Sequence, residues 1–251
     1  SDAAPEGFGA ALAVAGDRVL VGAPEAGPGG AAWLFEVVGD RWAPVARVVP
    51  DSTEAGGRLG AAVALAGDEA LIGAPGRDRV VRLVRDADGS WARAGELRPA
   101  IGSTGGPQGL GFGAALALDG ARLLVGAPGA EGGKGAVHRR IRRNGAWEAE
   151  EPVASPVGEP GDGFGAAVAL AEGRAVVGAP GADGGRGRAA VFDPAAAAPE
   201  VAWLDPELEL ERVAGGEVRC REGEAAGFAC EGVDLLSFLP LSAMGAGPAE
   251  Q

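Results

Sequence analysis

Apolar residues alternate with a period of two in four short stretches of the chain. In Ala11-Leu12-Ala13-Val14 the alanines fall on one face of an extended strand, with Leu12 and Val14 on the other. The same division recurs in Ala62/Ala64 against Val63/Leu65, Ala115/Ala117 against Leu116/Leu118, and Ala167/Ala169 against Val168/Leu170. A strand that is apolar on both faces is covered on both sides, and a face of alanines lets a neighbouring sheet come close. The pattern therefore predicts stacked sheets. Each stretch sits between two fixed points, a glycine at 9, 60, 113 and 165 and a proline at 24, 75, 128 and 180. The glycines repeat at intervals of 51, 53 and 52 residues, and glycine to proline is 15 in every copy. Proline to the next glycine varies, at 36, 38 and 37, so length variation is confined to the later part of each unit, where loops are expected.

Each unit reads as four strands. The alternating strand is followed by a two-residue turn, Gly16-Asp17 or Gly67-Asp68, and a second strand such as Arg18–Val21 or Arg122–Val125. After Gly-Ala-Pro and a glycine-rich loop comes a third strand, at 31–37, 79–84, 135–141 and 187–192. Gly39-Asp40, Asp88-Gly89 and Asn144-Gly145 mark a second hairpin, and the fourth strand opens with Trp42, Trp91 or Trp147. In the last copy that hairpin gives way to Pro194–Pro199, and the strand is expected at 201–204. Four antiparallel strands per unit, repeated, predict an all-β protein, a β-propeller of four-stranded antiparallel blades. A stacked solenoid of hairpins is the competitor, but it leaves open sheet edges that a ring of blades avoids.

Composition sharpens this picture. The 251 residues include 46 glycines and 18 prolines, which excludes long helices, while 47% of residues are apolar, which argues against disorder. A net charge of −13 disfavours nucleic acid and anionic membrane as partners, and no apolar run is long enough to form a membrane-spanning helix. The lone methionine is Met244, so residue 1 is expected to follow a removed segment or to lie within a longer chain.

The Phe-Gly to Gly-Ala-Pro units at 8–24, 112–128 and 164–180, with Leu59-Gly to Gly-Ala-Pro75 as a variant, resemble FG-GAP repeats. These are the blade units of integrin α-chain propellers and of many bacterial surface proteins. The resemblance covers about 7–204, in units of 7–57, 58–110, 111–162 and 163–204. Rings of that family usually have seven blades and four are visible here, so the resemblance implies a fragment, or a small ring completed by the tail. Ion-binding units of the family carry Asp-x-Asp-x-Asp-Gly between the first two strands. Here that connection is two residues long, too short for the oxygens calcium needs, so no metal or other cofactor is expected. Asp86-Ala-Asp88-Gly89 looks like half a site, but it falls on the third-to-fourth hairpin, where Asp-Gly is ordinary turn chemistry.

Residues 205–251 break the period and read as a linker and a cysteine-containing segment. Cys220 to Cys230, followed by Val233-Asp-Leu-Leu-Ser-Phe-Leu-Pro-Leu-Ser242, resembles the opening of choice-of-anchor B family proteins, which are secreted bacterial proteins. Cys220 and Cys230 are expected to close a disulfide loop in an oxidising compartment, with a pair of reduced structural thiols as the alternative.

Catalytic chemistry finds little purchase. His138 is the single histidine, sits in a third strand and reads as structural, and no nucleophile elbow accompanies it. The glycine-rich runs 109–113 and 132–135 lack the spacing and the following helix of phosphate loops. Arg139, Arg140, Arg142 and Arg143 read as a solvated outer strand paired with acids such as Glu148 and Glu150, or else as a small anion-binding patch. The strand-opening tryptophans read as hydrophobic anchors, or else as sugar-stacking platforms. In an up-and-down blade the 2–3 and 4–1 connections share one face of the ring, and here they are the long ones. That face is the expected docking site for a protein or glycan ligand, with Asp51, Glu54, Glu131, Lys134, Asp183 and Arg186 as contacts. The expectation is a non-enzymatic secreted or cell-surface interaction or adhesion module. The alternatives are an accessory or carbohydrate-binding propeller domain of a larger hydrolase or lectin, and a structural spacer.

Overall fold

In the computed structural model the described residues are 5–50, 55–99, 109–155 and 158–204, together with the backbone of 224–225 and 228–229. The chain divides into two compact units, 1–204 and 205–251. In the second unit, Glu224–Ala225 pairs with Phe228–Ala229 as a two-residue antiparallel ladder. Cys220 and Cys230 lie outside the described residues, and so does their expected disulfide.

The first unit is four antiparallel meanders in chain order. Blade 1 contains β1 (Ala11–Ala15), β2 (Arg18–Ala23), β3 (Ala31–Val38) and β4 (Arg41–Val48). Blade 2 contains β5 (Val63–Ala66), β6 (Glu69–Ala74), β7 (Arg79–Arg85) and β8 (Trp91–Leu97). Blade 3 contains β9 (Ala115–Asp119), β10 (Arg122–Ala127), β11 (Ala136–Arg143) and β12 (Ala146–Ala149), with β13 (Val153–Ala154) also pairing to β11. Blade 4 contains β14 (Ala167–Ala171), β15 (Arg174–Ala179), β16 (Arg188–Phe192) and β17 (Ala202–Leu204). The architecture is that of a β-propeller, as the repeat predicted. The two-residue hairpins lie where Gly-Asp was read as a turn, with Ala15 paired to Arg18 and Ala66 to Glu69.

The core lies between blades, and the two faces of the first strands explain why. The alanine face of β1, with Leu20, Ala32 and Leu34, packs against Leu59, Val63, Leu65, Ile72, Val81 and Leu83 of blade 2. Ala64, Leu71 and Val80 of blade 2 pack against Phe112, Leu116, Leu118, Leu123 and Val125 of blade 3. Ala117, Leu124 and Val137 of blade 3 meet Phe164, Val168, Leu170, Val177 and Phe192 of blade 4. Small residues on one blade therefore receive large residues from the next, three times over, which lets the twisted sheets interdigitate.

The backbones of adjacent blades approach closely at the two glycines of the repeat. A methyl built on Gly22 would stand 2.1 Å from the carbonyl oxygen of Gly60; the distances are 2.0 Å for Gly73 to Gly113 and 1.9 Å for Gly126 to Gly165. The glycine of each Gly-Ala-Pro thus abuts the Phe-Gly glycine of the following blade, and no larger residue fits. Parallel bridges between Gly30 and Leu59 and between Gly135 and Phe164 fasten the same junctions. At the blade 2–3 junction the Asp78 carboxylate substitutes, accepting the N–H groups of Leu110 at 3.2 Å and Phe112 at 2.9 Å.

Candidate functional site

Because each blade is an up-and-down meander, the 2–3 loops and the 4–1 connections share one rim. Two of these loops are copies of each other, Gly129-Ala130-Glu131-Gly132-Gly133-Lys134 and Gly181-Ala182-Asp183-Gly184-Gly185-Arg186. Their backbones match. Glu131 (φ 50, ψ 42) and Asp183 (φ 53, ψ 42) are both left-handed, a conformation that costs a non-glycine residue energy and is held here by the surrounding bonds. Those bonds run from the N–H of Gly133 to the Gly129 carbonyl and from Gly135 to Ala130, repeated from Gly185 to Gly181 and from Gly187 to Ala182. Ala130 and Ala182 are buried beneath the loops and pin them to the blades. The result is two rigid turns, each presenting an exposed carboxylate and, three residues on, a basic side chain.

The six expected contact residues are placed as follows. Asp51 and Glu54 lie outside the described residues. Glu131 and Lys134 occupy the blade 3 loop and Asp183 and Arg186 the blade 4 loop, with Glu131, Asp183 and Arg186 exposed and Lys134 half-buried. Asp183 is 3.5 Å from Arg188. A small hollow of about 190 Å³ opens beside it, lined by Glu159, Asp162, Asp183, Arg188 and Trp203. The Arg188 guanidinium stacks over the Trp203 ring at 4.5 Å, and the Trp203 indole N–H is buried without a hydrogen-bond partner. Sequence reading missed this hollow, because Glu159 and Trp203 stand on the segments where the period loosens.

The other charged candidates turn inward. Trp91 donates its indole N–H to Glu36 of blade 1 at 2.9 Å, and Trp147 donates to Glu69 of blade 2 at 3.0 Å. The Trp91 hydrogen bond, helped by Arg85 and Arg18, holds the Glu36 carboxyl below the usual carboxylate range despite partial burial. These tryptophans are blade-to-blade latches. The carboxylates escaped notice because they stand on different strands, β3 in blade 1 and β6 in blade 2, and form no motif.

The arginine cluster departs from the solvated strand expected of it. Arg139 and Arg140 are buried, because β11 is an interior strand of the stack. Alternation sends them in opposite directions. Arg139 donates to the Glu151 carbonyl at 2.9 Å and the Pro194 carbonyl at 3.3 Å, and also reaches Ala196, whereas Arg140 reaches the Arg98 carbonyl of the preceding blade. Arg142 joins Arg82 on Glu69, and Arg143 pairs with Glu148 at 2.9 Å.

His138 is 2% exposed, edge-on to Phe112 at 5.0 Å. Burial, with the nearby Arg140 charge, pushes its pKa down to about 4. Asp88 is engaged in its own turn, accepting the Ser90 N–H at 2.9 Å and hydroxyl at 2.7 Å. Among the described residues no three His, Cys, Asp or Glu side chains are grouped to hold a metal, and no helix is long and apolar enough to cross a membrane.

Comparison with known proteins follows these lines. Residues 147–192 match the FG-GAP repeat family. The matched unit runs from the fourth strand of blade 3 to the third strand of blade 4 and so spans one blade junction. Among solved structures, a protein from Lactobacillus plantarum is similar with a TM-score of 0.56 at 14% identity, over 80% of this chain and 56% of that one. A candidate 6-phosphogluconolactonase from Bacteroides uniformis ATCC 8492 is similar with a TM-score of 0.58 at 15% identity, over 77% of this chain and 55% of that one. At such identities the likeness is one of fold, and the chain spans little more than half the length of these structures. No curated protein matches the chain.

Proposed function

We propose that the chain is a non-enzymatic interaction module, secreted or displayed at a cell surface, that binds a protein or glycan through the rim of its 2–3 and 4–1 loops. The observation that carries this reading is the pair of superposable rim turns, each rigid, each offering one exposed acid and one base in the same order. Such a surface fixes its backbone before a partner arrives, which lowers the entropy lost on binding. The FG-GAP match supports an interaction role, and the integrin-like and anchor-type resemblances support an extracellular one. On the opposite rim the turns are two residues long except in two hairpins, 86–90 in blade 2 and 193–201 in blade 4.

A second reading, an accessory or carbohydrate-binding domain of a larger hydrolase or lectin, draws support from the hollow at Trp203. There Glu159, Asp162 and Asp183, with Arg188 stacked on Trp203, line a space too small for more than part of a sugar. Screening the purified protein against a glycan array and a surface-protein library tests both readings. The first expects a ligand whose binding weakens at least about tenfold when Glu131, Lys134, Asp183 and Arg186 are changed together to Ala. Changing Asp40 and Asp119 on the opposite rim leaves it intact. Turnover in a hydrolase panel, abolished by Asp183→Asn or Asp162→Asn, would overturn the non-enzymatic reading.

A further inference from the structure

Arg188 opens β16 at the place Arg79 holds in β7, each paired across the ladder with the alanine of Gly-Ala-Pro. In blade 2 the facing position on the fourth strand, opposite Val81, is Glu96, whose carboxylate accepts Arg79 at 3.0 Å and Arg98 at 2.8 Å. In blade 4 the same position, opposite Ala190, is Trp203. The repeat's counter-ion is gone. The Arg188 guanidinium lies instead over the indole ring at 4.5 Å, with the Asp183 carboxylate 3.5 Å away. At this exchanged position lies the hollow of about 190 Å³ walled by Glu159, Asp162, Asp183, Arg188 and Trp203.

The hollow belongs to the junction of blades 3 and 4. Glu159 and Asp162 stand on the connection between them, where the N–H groups of Gly161 and Gly163 donate to the Gly133 carbonyl of blade 3. The Asp162 carbonyl in turn accepts the Gly181 N–H of blade 4. Trp203 packs edge-on against Phe164, in the core of the same junction, at 6.0 Å. Glu131 and Gly132, the blade 3 copies of Asp183 and Gly184, are exposed although a further blade follows them. Exposure of this loop tip is therefore a property of the repeat. Both kinds of hydrogen-bonding group are left unmet around the hollow. The Asp162 carboxylate accepts the Glu159 N–H at 2.8 Å, but among the described residues neither side chain meets a cation. The Arg188 guanidinium makes no hydrogen bond there, and the Trp203 indole N–H is buried without an acceptor.

We propose that the hollow takes the ammonium-bearing edge of an amino sugar, one whose nitrogen is not acetylated, as a unit of a glycan. Three carboxylates against one guanidinium leave the space negative, which selects a cation. Arg188 occupies the stacking place on the indole, which leaves recognition to the charged groups. The ammonium donates charge-assisted hydrogen bonds to Glu159 and Asp162. Adjacent sugar hydroxyls both donate and accept, so they serve Asp183 and Arg188 at once. A lysine tip brings donors alone and leaves the guanidinium unmet, and an acetylated nitrogen has lost its charge. The proposal rests on the rim-binding reading in its glycan form.

The indole N–H signals of the intact protein in a nitrogen–proton correlation spectrum test this. The chain has five tryptophans, and Trp203→Phe, which keeps a ring against Phe164, identifies the Trp203 signal. The probe is the disaccharide of glucosamine, titrated at about pH 6, where an alkyl ammonium keeps its proton. The expected result is a saturable shift of that one signal. Glu159→Gln with Asp183→Asn, both at exposed positions, should weaken the binding at least about tenfold. The other four indole signals report that this double variant is folded. The N-acetylated disaccharide and a blocked lysine peptide should each bind at least about tenfold more weakly than the probe. Equal binding of either one, a response the double variant retains in full, or silence toward the probe overturns the proposal. A glycan that depends on the rim residues yet leaves the Trp203 signal unmoved also overturns it, while rim binding itself stands.

Discussion

His138 shows how one buried side chain can give stability a pH response. It is neutral in the folded protein because burial against Phe112, with Arg140 close by, opposes its charge. The unfolded chain protonates the same imidazole near its ordinary value of about 6.5, so the unfolded state binds more protons between that value and about 4. Stability is therefore complete above about pH 6.5 and falls as pH drops toward 4, by an amount on the order of 2–3 kcal/mol. His138→Phe keeps the ring contact and removes the titration. Thermal melts from about pH 7 to about pH 4.5 should show a marked loss in the wild type and a much flatter profile in the variant; equal profiles would show that the imidazole is not buried as described. Glu36 acts in a lower window. Its depressed carboxyl contributes stability above the ordinary carboxylate value, and that contribution is lost as pH falls through its folded value. Sequence alone placed His138 on a third strand as a structural residue. Its neighbours come from a fold contact, Phe112, and from Arg140 two residues on, and only the former was invisible in the chain.

Strands and their hairpins were legible because period-two alternation and Gly-Asp turns are local signals. The junctions between blades were half legible. The repeating glycines could be seen, but their purpose could not, since Gly73 meets Gly113 across 40 residues of chain. The tryptophan latches were less visible still. Three tryptophans recur at strand starts, yet the acceptors of Trp91 and Trp147 sit on different strands, and among the described residues Trp42 has none. Glu69 receives Trp147, Arg82 and Arg142 from two blades while almost fully buried. Glu69→Gln keeps the shape and removes the charge that balances two guanidinium groups, and it should cost about 2 kcal/mol in denaturant unfolding. A variant as stable as the wild type would show that the latch carries no energy. The misread arginines teach the same lesson from the other side. A run of four basic residues is ordinarily a solvated face, but a third strand in a stack is interior, and Arg139 and Arg140 are held there by main-chain carbonyls.

For the whole molecule, stability and the proposed binding divide between two places. Stacked faces, with Ala130 and Ala182 beneath the rim loops, supply the core, and the tips of those loops supply exposed charge. Rim substitutions at Glu131 and Asp183 are accordingly expected to change binding with little change in melting temperature. Replacing either with Gly relieves a left-handed residue and is expected to raise stability slightly, by up to about 1 kcal/mol; thermal melts that show a clear loss would contradict that. The claim under everything else is that adjacent blades touch backbone to backbone at the paired glycines. Scanning calorimetry of Gly73→Ala beside Gly120→Ala tests it most directly. Gly73 has strand geometry that alanine tolerates, so only the Gly113 carbonyl at 2.0 Å opposes the new methyl, whereas Gly120 is an open turn with φ +56. Gly120→Ala should cost about 1 kcal/mol, a shift of about 2–4 °C. Gly73→Ala should cost about 3 kcal/mol or more and lower the transition by roughly three times as much. Equal shifts, or a Gly73→Ala protein that melts like the wild type, would contradict the stacked-blade account.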